Sequence, residues 1–241
     1  MINSIMCSQY VLNLDRAETK QKLTTFMSEY GIAIDNSDAL DSSANHPSNT
    51  LPYRKSYVAV AVLDSKQNLK LKQMQFSLVP SWSKESKVKF ATHNARIETV
   101  MEKPTWKNPF AGQHCLVPLN GFFESVYLGP LAGNVIEFFS EKQSLLFAAG
   151  IYDAWLNKES GEVIESFAIL TKQPDPFILE NGHDRMPMFL TPGKEVEWLK
   201  IKGGEESLQY LRSNYTKNII WNVRIFRPLK AGWEKKIPKN T

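Results

Sequence analysis

Two segments of the sequence place groups that can move protons beside residues that form turns. Gly121 precedes Phe122-Phe123-Glu124, and His183 opens the run His183-Asp184-Arg185-Met186-Pro187. A carboxylate and an imidazole at the ends of apolar, strand-like runs are held rigidly yet stay reachable, which is how proton-transfer sites are commonly built. A solvated glutamate and a hydrogen-bonded structural histidine are the ordinary alternatives for Glu124 and His183.

Cys7 is a third candidate, and its chemistry depends on where the mature chain begins. A lone cysteine near the start of a chain is most often a small buried side chain. If translation starts at Met6, or if the leader is removed, Cys7 carries a free α-amine, whose pKa of about 8 leaves a nucleophilic fraction at neutral pH. That amine would form a Schiff base with an aldehyde, and the adjacent thiol would close a thiazolidine ring.

Two further segments could bind a nucleic acid. Asn94-Ala95-Arg96-Ile97-Glu98-Thr99 offers an amide and a guanidinium close together. Asn94 as a helix N-cap and Arg96 as a solvated side chain would also explain these residues. Trp82, which ends Pro80-Ser81-Trp82, could provide a surface on which a base stacks.

These segments, in this order along the chain, resemble the SOS response-associated peptidase (SRAP) family of abasic-site processing proteins. Family members begin Met-Cys-Gly-Arg, which corresponds to Met6-Cys7-Ser8-Gln9, so the glycine and the arginine are replaced. Three other family motifs are closely matched, at Asn94–Thr99, Cys115–Glu124 and His183–Pro187. The resemblance extends from about Cys7 to Ile225.

The resemblance implies a role for each candidate residue. Cys7 would trap the ring-opened aldehyde of an abasic site, with Asn94 hydrogen-bonded to the sugar or the linkage. Glu124 would orient the amine and shuttle protons, and His183 would assist ring opening and Schiff-base formation. The remaining residues would contact DNA: Arg96 and Arg185 at phosphates, and Pro80, Ser81 and Trp82 at the bases beside the lesion.

We therefore expect a protein that senses abasic sites in single-stranded DNA and forms a covalent thiazolidine crosslink through Cys7 in the SOS response. The amine, thiol, carboxylate and imidazole supply this chemistry, so no cofactor or metal is expected. Two alternatives stay open. One is a cysteine-type (auto)peptidase that uses Cys7 and His183, and the other is a single-stranded-DNA-binding module without catalysis.

Composition limits the class of protein. With 241 residues, 42% of them hydrophobic, the chain is long enough for one sizeable core. A net charge of +4 permits a polyanionic partner but is not the mark of duplex binding by charge alone. Two cysteines exclude a disulfide framework, and no Cys/His cluster has zinc-site spacing. The sequence has neither a membrane-spanning apolar run nor a signal peptide, so we expect a protein of the cytoplasm. We also expect a monomer.

The elements that must position these residues are mostly strands. Apolar, β-branched runs predict strands over 57–63, 69–79, 115–119, 122–127, 135–139, 145–152, 167–171, 186–190 and 219–225. Helical spacing predicts helices over 15–30, 94–101, 194–201 and 205–214, with another ending near Gly182. Short polar breaks favour sequential antiparallel pairing. The sequence thus predicts a single α+β domain, residues 7–228, with a largely antiparallel sheet or distorted barrel flanked by helices, between a leader, 1–6, and a tail, 229–241.

Overall fold

The computed structural model describes residues 9–13, 16–31 and 57–237. Cys7 and the predicted leader, residues 1–6, lie outside the described residues. The predicted tail, residues 229–241, is described as far as residue 237 and contains a 3₁₀ helix, Trp233–Lys236. The boundaries of the leader and the tail stay predictions.

Strands make up most of the regular structure. In chain order they are β1 (Gln9–Val11), β2 (Tyr57–Leu63), β3 (Leu69–Phe76), β4 (Asn94–Arg96), β5 (His114–Leu119), β6 (Gly121–Val126), β7 (Asn134–Phe139), β8 (Leu146–Leu156), β9 (Val163–Lys172), β10 (Met186–Pro187) and β11 (Asn222–Pro228). Every predicted strand is present, with ends that differ by up to four residues. The hydrophobic pattern therefore identified these strands correctly.

A closed barrel of five strands lies at the centre of the described chain. Around it the order is β9, β3, β2, β5 and β8, and β8 pairs again with β9 to complete the ring. Neighbours in the ring are antiparallel, except that β3 runs parallel to β9. Outside the ring, β4 pairs with β9 in parallel and β10 pairs with it antiparallel. The predicted barrel with mostly antiparallel pairing is confirmed.

A second, four-stranded antiparallel sheet packs against the barrel in the order β1, β6, β7 and β11. Phe122 and Phe138 of this sheet share a hydrophobic cluster with Val62 and Val117 of the barrel. A side chain at Gly121 would collide with the backbone carbonyl oxygen of Phe138. A glycine at this position therefore lets β6 and β7 approach closely.

The described helices are α1 (Ala17–Glu29), α2 (Pro104–Phe110), α3 (Pro176–Glu180), α4 (Glu195–Lys200) and α5 (Gly204–Ser213). Ile178 of α3 packs in the cluster shared with the second sheet, and the other four helices cover the barrel on another side. Because side chains alternate along a strand, Leu116 packs among α1, α2, α4 and α5, while its neighbours Cys115 and Val117 belong to the cluster shared with the second sheet. Among the residues with assigned positions, no helix is long and apolar enough to cross a membrane.

The helix predicted over 94–101 is wrong. Asn94–Arg96 forms β4, and turns follow as far as the start of α2. β4 exchanges backbone hydrogen bonds with β9: the Ile169 N–H donates to His93 O at 3.0 Å, and the Ile97 N–H donates to Thr171 O at 3.0 Å. Pairing with a distant strand outweighs the weak local preference for a helix. Helix α2 was not predicted, although Pro104 at its first turn is a typical start signal.

Candidate active site

Glu124 and His183 form a direct contact in the interior of the protein. Glu124 Oε2 lies 2.8 Å from His183 Nε2. The two residues are 2% and 5% exposed. Glu124 belongs to β6, and His183 follows α3 in the chain. The structure thus brings together the two residues that the sequence predicts as candidates for proton transfer.

The second ring nitrogen of His183 determines how this pair shares its protons. His183 Nδ1 lies 2.9 Å from the backbone carbonyl oxygen of Arg185, and the backbone N–H of Arg185 is farther away, at 3.3 Å. A carbonyl oxygen only accepts, so the shorter contact assigns a proton to Nδ1. Nε2 and the Glu124 carboxylate then compete for one proton between them. A buried pair that shares a proton can both accept and donate one during a reaction.

Gly182 sets the direction in which the chain presents His183. Its φ of +89° lies in the left-handed region, and a side chain there would come within 2.7 Å of Leu128 O and of Val126 Cγ1. The backbone N–H of His183 then donates to Ile178 O at 3.3 Å, which ties the histidine to the end of α3. A glycine at 182 therefore fits both the turn and the tight packing on β6.

Strand β6 points Glu124 toward the shared core and away from the outer face of its sheet. Phe122 and Val126, two residues on either side of Glu124, belong to the cluster shared with the barrel. Phe123 points the other way, into a small cluster with Val11 and Val135. Glu124 and Phe123 therefore point to opposite faces of β6, as neighbouring residues of a strand do.

The Asn94 and His183 segments meet on the two sides of β9. In the register of the strands, Asn94 pairs with Ile169 and Arg96 with Thr171 on one edge, and Pro187 pairs with Thr171 on the other. Asn94 is buried and Arg96 is half-buried. Two motifs that lie far apart in the sequence therefore converge on one residue of the barrel.

Arg185 connects these two motifs through its side chain. Its guanidinium donates two parallel hydrogen bonds of 2.8 Å to the carboxylate of Glu98. It also donates to Thr171 O at 2.7 Å and to Thr171 Oγ1 at 3.2 Å. Burial opposes ionisation of Glu98, but the hydrogen bonds from Arg185 and the charges of Arg185 and Arg96 hold its pKa below the ordinary value. Arg185 is 3% exposed, and its assignment to a DNA phosphate stays a prediction.

The Pro80-Ser81-Trp82 segment lies at another part of β9. Pro80 is buried, whereas Ser81 is exposed and Trp82 keeps 55% of its surface exposed. Asp153 of β8 accepts a hydrogen bond from the backbone N–H of Ser81, and Asp153 pairs in register with Ser166 of β9. Asn94 pairs with Ile169, three residues farther along β9. At about 3.3 Å per residue, the two attachment points lie about 10 Å apart along β9. Sequence reasoning overlooked Asp153, because no nearby motif singles it out.

The second cysteine and the buried histidines outside the pair are poor candidates for chemistry. Cys115 is fully buried, and burial raises the pKa of its thiol far above the usual range. Burial lowers the pKa of His93 and of His114 to about 4. The ring of His114 stacks on Trp198 at 3.7 Å between ring centroids, which gives this histidine a structural role. The described ranges contain no cluster of three or more residues suited to holding a metal.

Sequence comparisons place these features in a family. A family model described as SOS response associated peptidase (SRAP) matches residues 6–225. The chain is 32% identical to the abasic site processing protein YoqW of Bacillus subtilis over 169 residues, which cover 70% of this chain and 72% of the relative. It is 31% identical to the abasic site processing protein HMCES of Gallus gallus over 154 residues, which cover 54% of this chain and 45% of the relative.

Solved structures share the fold. A crystal structure of a Bacteroides thetaiotaomicron protein superimposes with a TM-score of 0.69 at 22% identity, covering 92% of both chains. A Bordetella bronchiseptica protein superimposes with a TM-score of 0.67 at 20% identity, covering 92% of this chain and all of the other. At these identities the likeness establishes the architecture alone.

Proposed function

Because the chain belongs to the SOS response associated peptidase (SRAP) family, we propose that it processes abasic sites in single-stranded DNA by forming a thiazolidine crosslink through Cys7. The observation that carries the proposal is the buried Glu124–His183 contact of 2.8 Å. Its position relative to β1 adds support, since Gln9 pairs with Phe123, the neighbour of Glu124. Cys7 precedes Gln9 by two residues, a span of at most about 7 Å.

The proposed reaction is a condensation that releases one water. The unprotonated α-amine of Cys7 adds to the aldehyde carbon of the ring-opened sugar and gives a carbinolamine. Loss of the hydroxyl group as water produces a Schiff base. The Cys7 thiol then adds to the same carbon, and its proton passes to the nitrogen, which closes the ring. No electrons are exchanged with a cofactor in these steps.

Glu124 and His183 are proposed to carry the protons of this sequence. Glu124 orients the amine and accepts the proton that it loses on addition. His183 assists opening of the sugar to its aldehyde and donates a proton to the departing hydroxyl group. Their hydrogen bond allows the proton gained at one step to be returned at the next, so the pair ends as it began.

The DNA contacts are proposed for residues around this pair. Asn94 is assigned to the sugar or the linkage, Arg96 and Arg185 to phosphates, and Pro80, Ser81 and Trp82 to bases beside the lesion. The exposure of Trp82 supports a stacking contact. The proposed partner is single-stranded DNA that bears an abasic site, bound by a monomer in the cytoplasm.

A peptidase activity is the second candidate, and the family description favours it. The crosslinking reaction needs a free amine at Cys7, so residues 1–6 must be absent from the active form. Removal of that leader by the protein itself would use Cys7 as nucleophile and His183 as base. A lyase-like release of the DNA strand would be a later step at the same Schiff base.

Adduct formation on a denaturing gel tests the main proposal. Protein that begins at Cys7 should form a heat-stable adduct with a single-stranded oligonucleotide containing an abasic site, and none with the undamaged oligonucleotide. The matched Cys7→Ala variant keeps an α-amine, so it should give only a transient Schiff base that borohydride can trap. Equal amounts of stable adduct with Cys7→Ala would rule out the thiazolidine.

A further inference from the structure

Trp82 lies between two backbone groups that are hydrogen-bonded to buried side chains of a single barrel strand. On one side, the N–H of Ser81 donates to Asp153 Oδ2 at 2.8 Å. On the other side, the carbonyl oxygen of Ser83 accepts a hydrogen bond of 2.8 Å from Trp155 Nε1. Asp153 and Trp155 are each 5% exposed and lie two residues apart on β8, so both point to the same face of the strand.

Further bonds fix the approach to this loop and its turn. The N–H of Val79 donates to Ser166 Oγ at 2.7 Å, and Ser166 pairs with Asp153 across β8 and β9. The N–H of Ser83 donates to Pro80 O at 2.9 Å, which closes the turn that carries Trp82. The second oxygen of Asp153 accepts the N–H of Ala154 at 2.9 Å, so its carboxylate is held in one orientation.

The side chain of Trp82 is exposed although its backbone is held in this way. The residue keeps 55% of its surface exposed, and its indole Nε1 makes a long contact of 3.4 Å with Pro104 O. An exposed aromatic ring on a mobile loop would lose conformational freedom on binding a base, which weakens the complex. A loop that is already ordered by buried partners avoids that cost.

We propose that Asp153 and Trp155 are positioning residues that hold the Trp82 loop ready to stack on a base of single-stranded DNA. The inference rests on the proposed function, because it assumes that the partner is an abasic DNA strand. It adds two residues that act through Trp82 and do not touch the reacting atoms. Their effect falls on DNA affinity, and the rate of adduct formation at saturating DNA is unchanged.

A double-mutant cycle with Trp82 tests this assignment. Asp153→Asn keeps the shape but leaves one acceptor oxygen for two N–H groups, and Trp155→Phe removes the donor to Ser83. Affinity is measured with a single-stranded oligonucleotide that carries a tetrahydrofuran abasic analogue, which has no aldehyde and cannot crosslink. Trp82→Ala should weaken binding about 5- to 150-fold, the range for loss of one stacked base. Asp153→Asn and Trp155→Phe should each weaken DNA binding by a smaller factor than Trp82→Ala does.

The double variants decide between positioning and general damage. When Trp82 is already alanine, Trp155→Phe or Asp153→Asn should cause no further loss of affinity. Trp198→Phe is the matched control. It also removes a buried indole N–H that donates to a backbone carbonyl, but that carbonyl belongs to Cys115 and not to the Trp82 loop. It should lower the melting temperature without changing DNA affinity. Losses that multiply in the double variants, or an equal loss in the control, would overturn the inference.

Measurements without DNA separate this inference from the proposed function. In Asp153→Asn and Trp155→Phe, acrylamide should quench the fluorescence of Trp82 more readily, measured as the difference from the same protein with Trp82→Phe. If the parent protein forms no adduct but these changes occur, the proposed function fails and the positioning role stands. If the parent crosslinks normally while neither Trp82 fluorescence nor the cycle shows coupling, the positioning role fails alone.

Discussion

Glu124 Oε2 lies 2.8 Å from His183 Nε2, and the opposite nitrogen of the same ring lies 2.9 Å from the carbonyl oxygen of Arg185. The imidazole is thus held between a carboxylate and a backbone acceptor. This arrangement fixes which nitrogen can exchange a proton with Glu124. The two contacts together also orient the ring.

The first prediction concerns the rate of adduct formation. Glu124→Gln and His183→Ala should slow crosslinking by about 10²- to 10⁴-fold, the usual contribution of a positioned acid or base. Affinity for abasic DNA should stay near normal, because neither change removes a proposed phosphate contact. Single-turnover rates between pH 5 and pH 9 should lose one limb of the profile in each variant.

Glu124→Gln is the stricter of these two variants, because it keeps the shape of the side chain while an amide group, which cannot act as a base, replaces the carboxylate. Melting curves establish whether each variant folds. Parental rates in both folded variants across the whole pH range would mean that the pair is structural.

The second prediction concerns the start of the mature chain. Intact mass spectrometry of protein expressed from the native gene should show a chain that begins at Cys7, because thiazolidine closure needs an α-amine beside the thiol. A form extended by residues 1–6 should not crosslink. A mature protein that retains those residues and crosslinks fully would refute the proposed chemistry.

The third prediction compares Arg96 and Arg185 in their effects on DNA affinity and on stability. Arg96→Ala and Arg185→Ala should both weaken noncovalent DNA binding, to a similar degree for different base sequences, and should reduce its dependence on salt. Arg185→Ala should also lower the free energy of unfolding by about 1–3 kcal/mol, because it breaks the contacts with Glu98 and Thr171. Arg96→Ala should cost less stability, because Arg96 is half-buried whereas Arg185 is buried.

Fluorescence polarisation and urea unfolding, carried out on the same samples, measure the two effects. Glu98→Gln is the matched control for Arg185, because it weakens the ion pair and leaves both guanidinium groups in place. If Arg185→Ala lowers stability but leaves DNA affinity unchanged, the phosphate assignment of Arg185 is wrong.

The fourth prediction concerns stability in mild acid. Burial lowers the pKa of His114 to about 4, against the opposing effect of hydrogen bonds to Phe110 O and Trp198 O. The unfolded chain, with a histidine pKa of about 6.5, takes up the proton first as the pH falls. The contribution of His114 to the free energy of unfolding is therefore fully present above about pH 6.5, and it is lost as the pH drops toward 4. Between pH 7.5 and pH 5 the loss from His114 should be at most about 2 kcal/mol, since the two carbonyls favour the charged ring.

Urea unfolding of the parent and of His114→Gln at the two pH values tests this expectation. The glutamine variant should be less stable at pH 7.5 but should lose less stability on acidification. His93, whose pKa burial also lowers to about 4, contributes with the same sign and is left unchanged. An identical pH dependence in parent and variant would assign the effect to other groups.

The sequence by itself determined nine of the eleven described strands, all but β1 and β4, together with most of the helices and the candidate residues. The continuous, valine-rich apolar run over Tyr57–Leu63 predicts that strand at its observed bounds, because β-branched residues favour strands whatever segment they pair with. Glu124 and His183 are predicted as proton-transfer residues because turn-forming residues beside apolar runs mark rigid, accessible positions. The motifs also indicated the family before any geometry was known.

Only the tertiary structure decided which residues meet. It placed Glu124 against His183, joined Arg185 to Glu98, and made a strand of Asn94–Arg96 where the local pattern predicts a helix. It also revealed Asp153 beneath the Trp82 loop. These contacts join residues that are distant in the chain, and they form because β4, β8 and β10 all pair with β9 in the folded protein. The energy of such pairing depends on partners that local periodicity does not specify, so it can override local propensity.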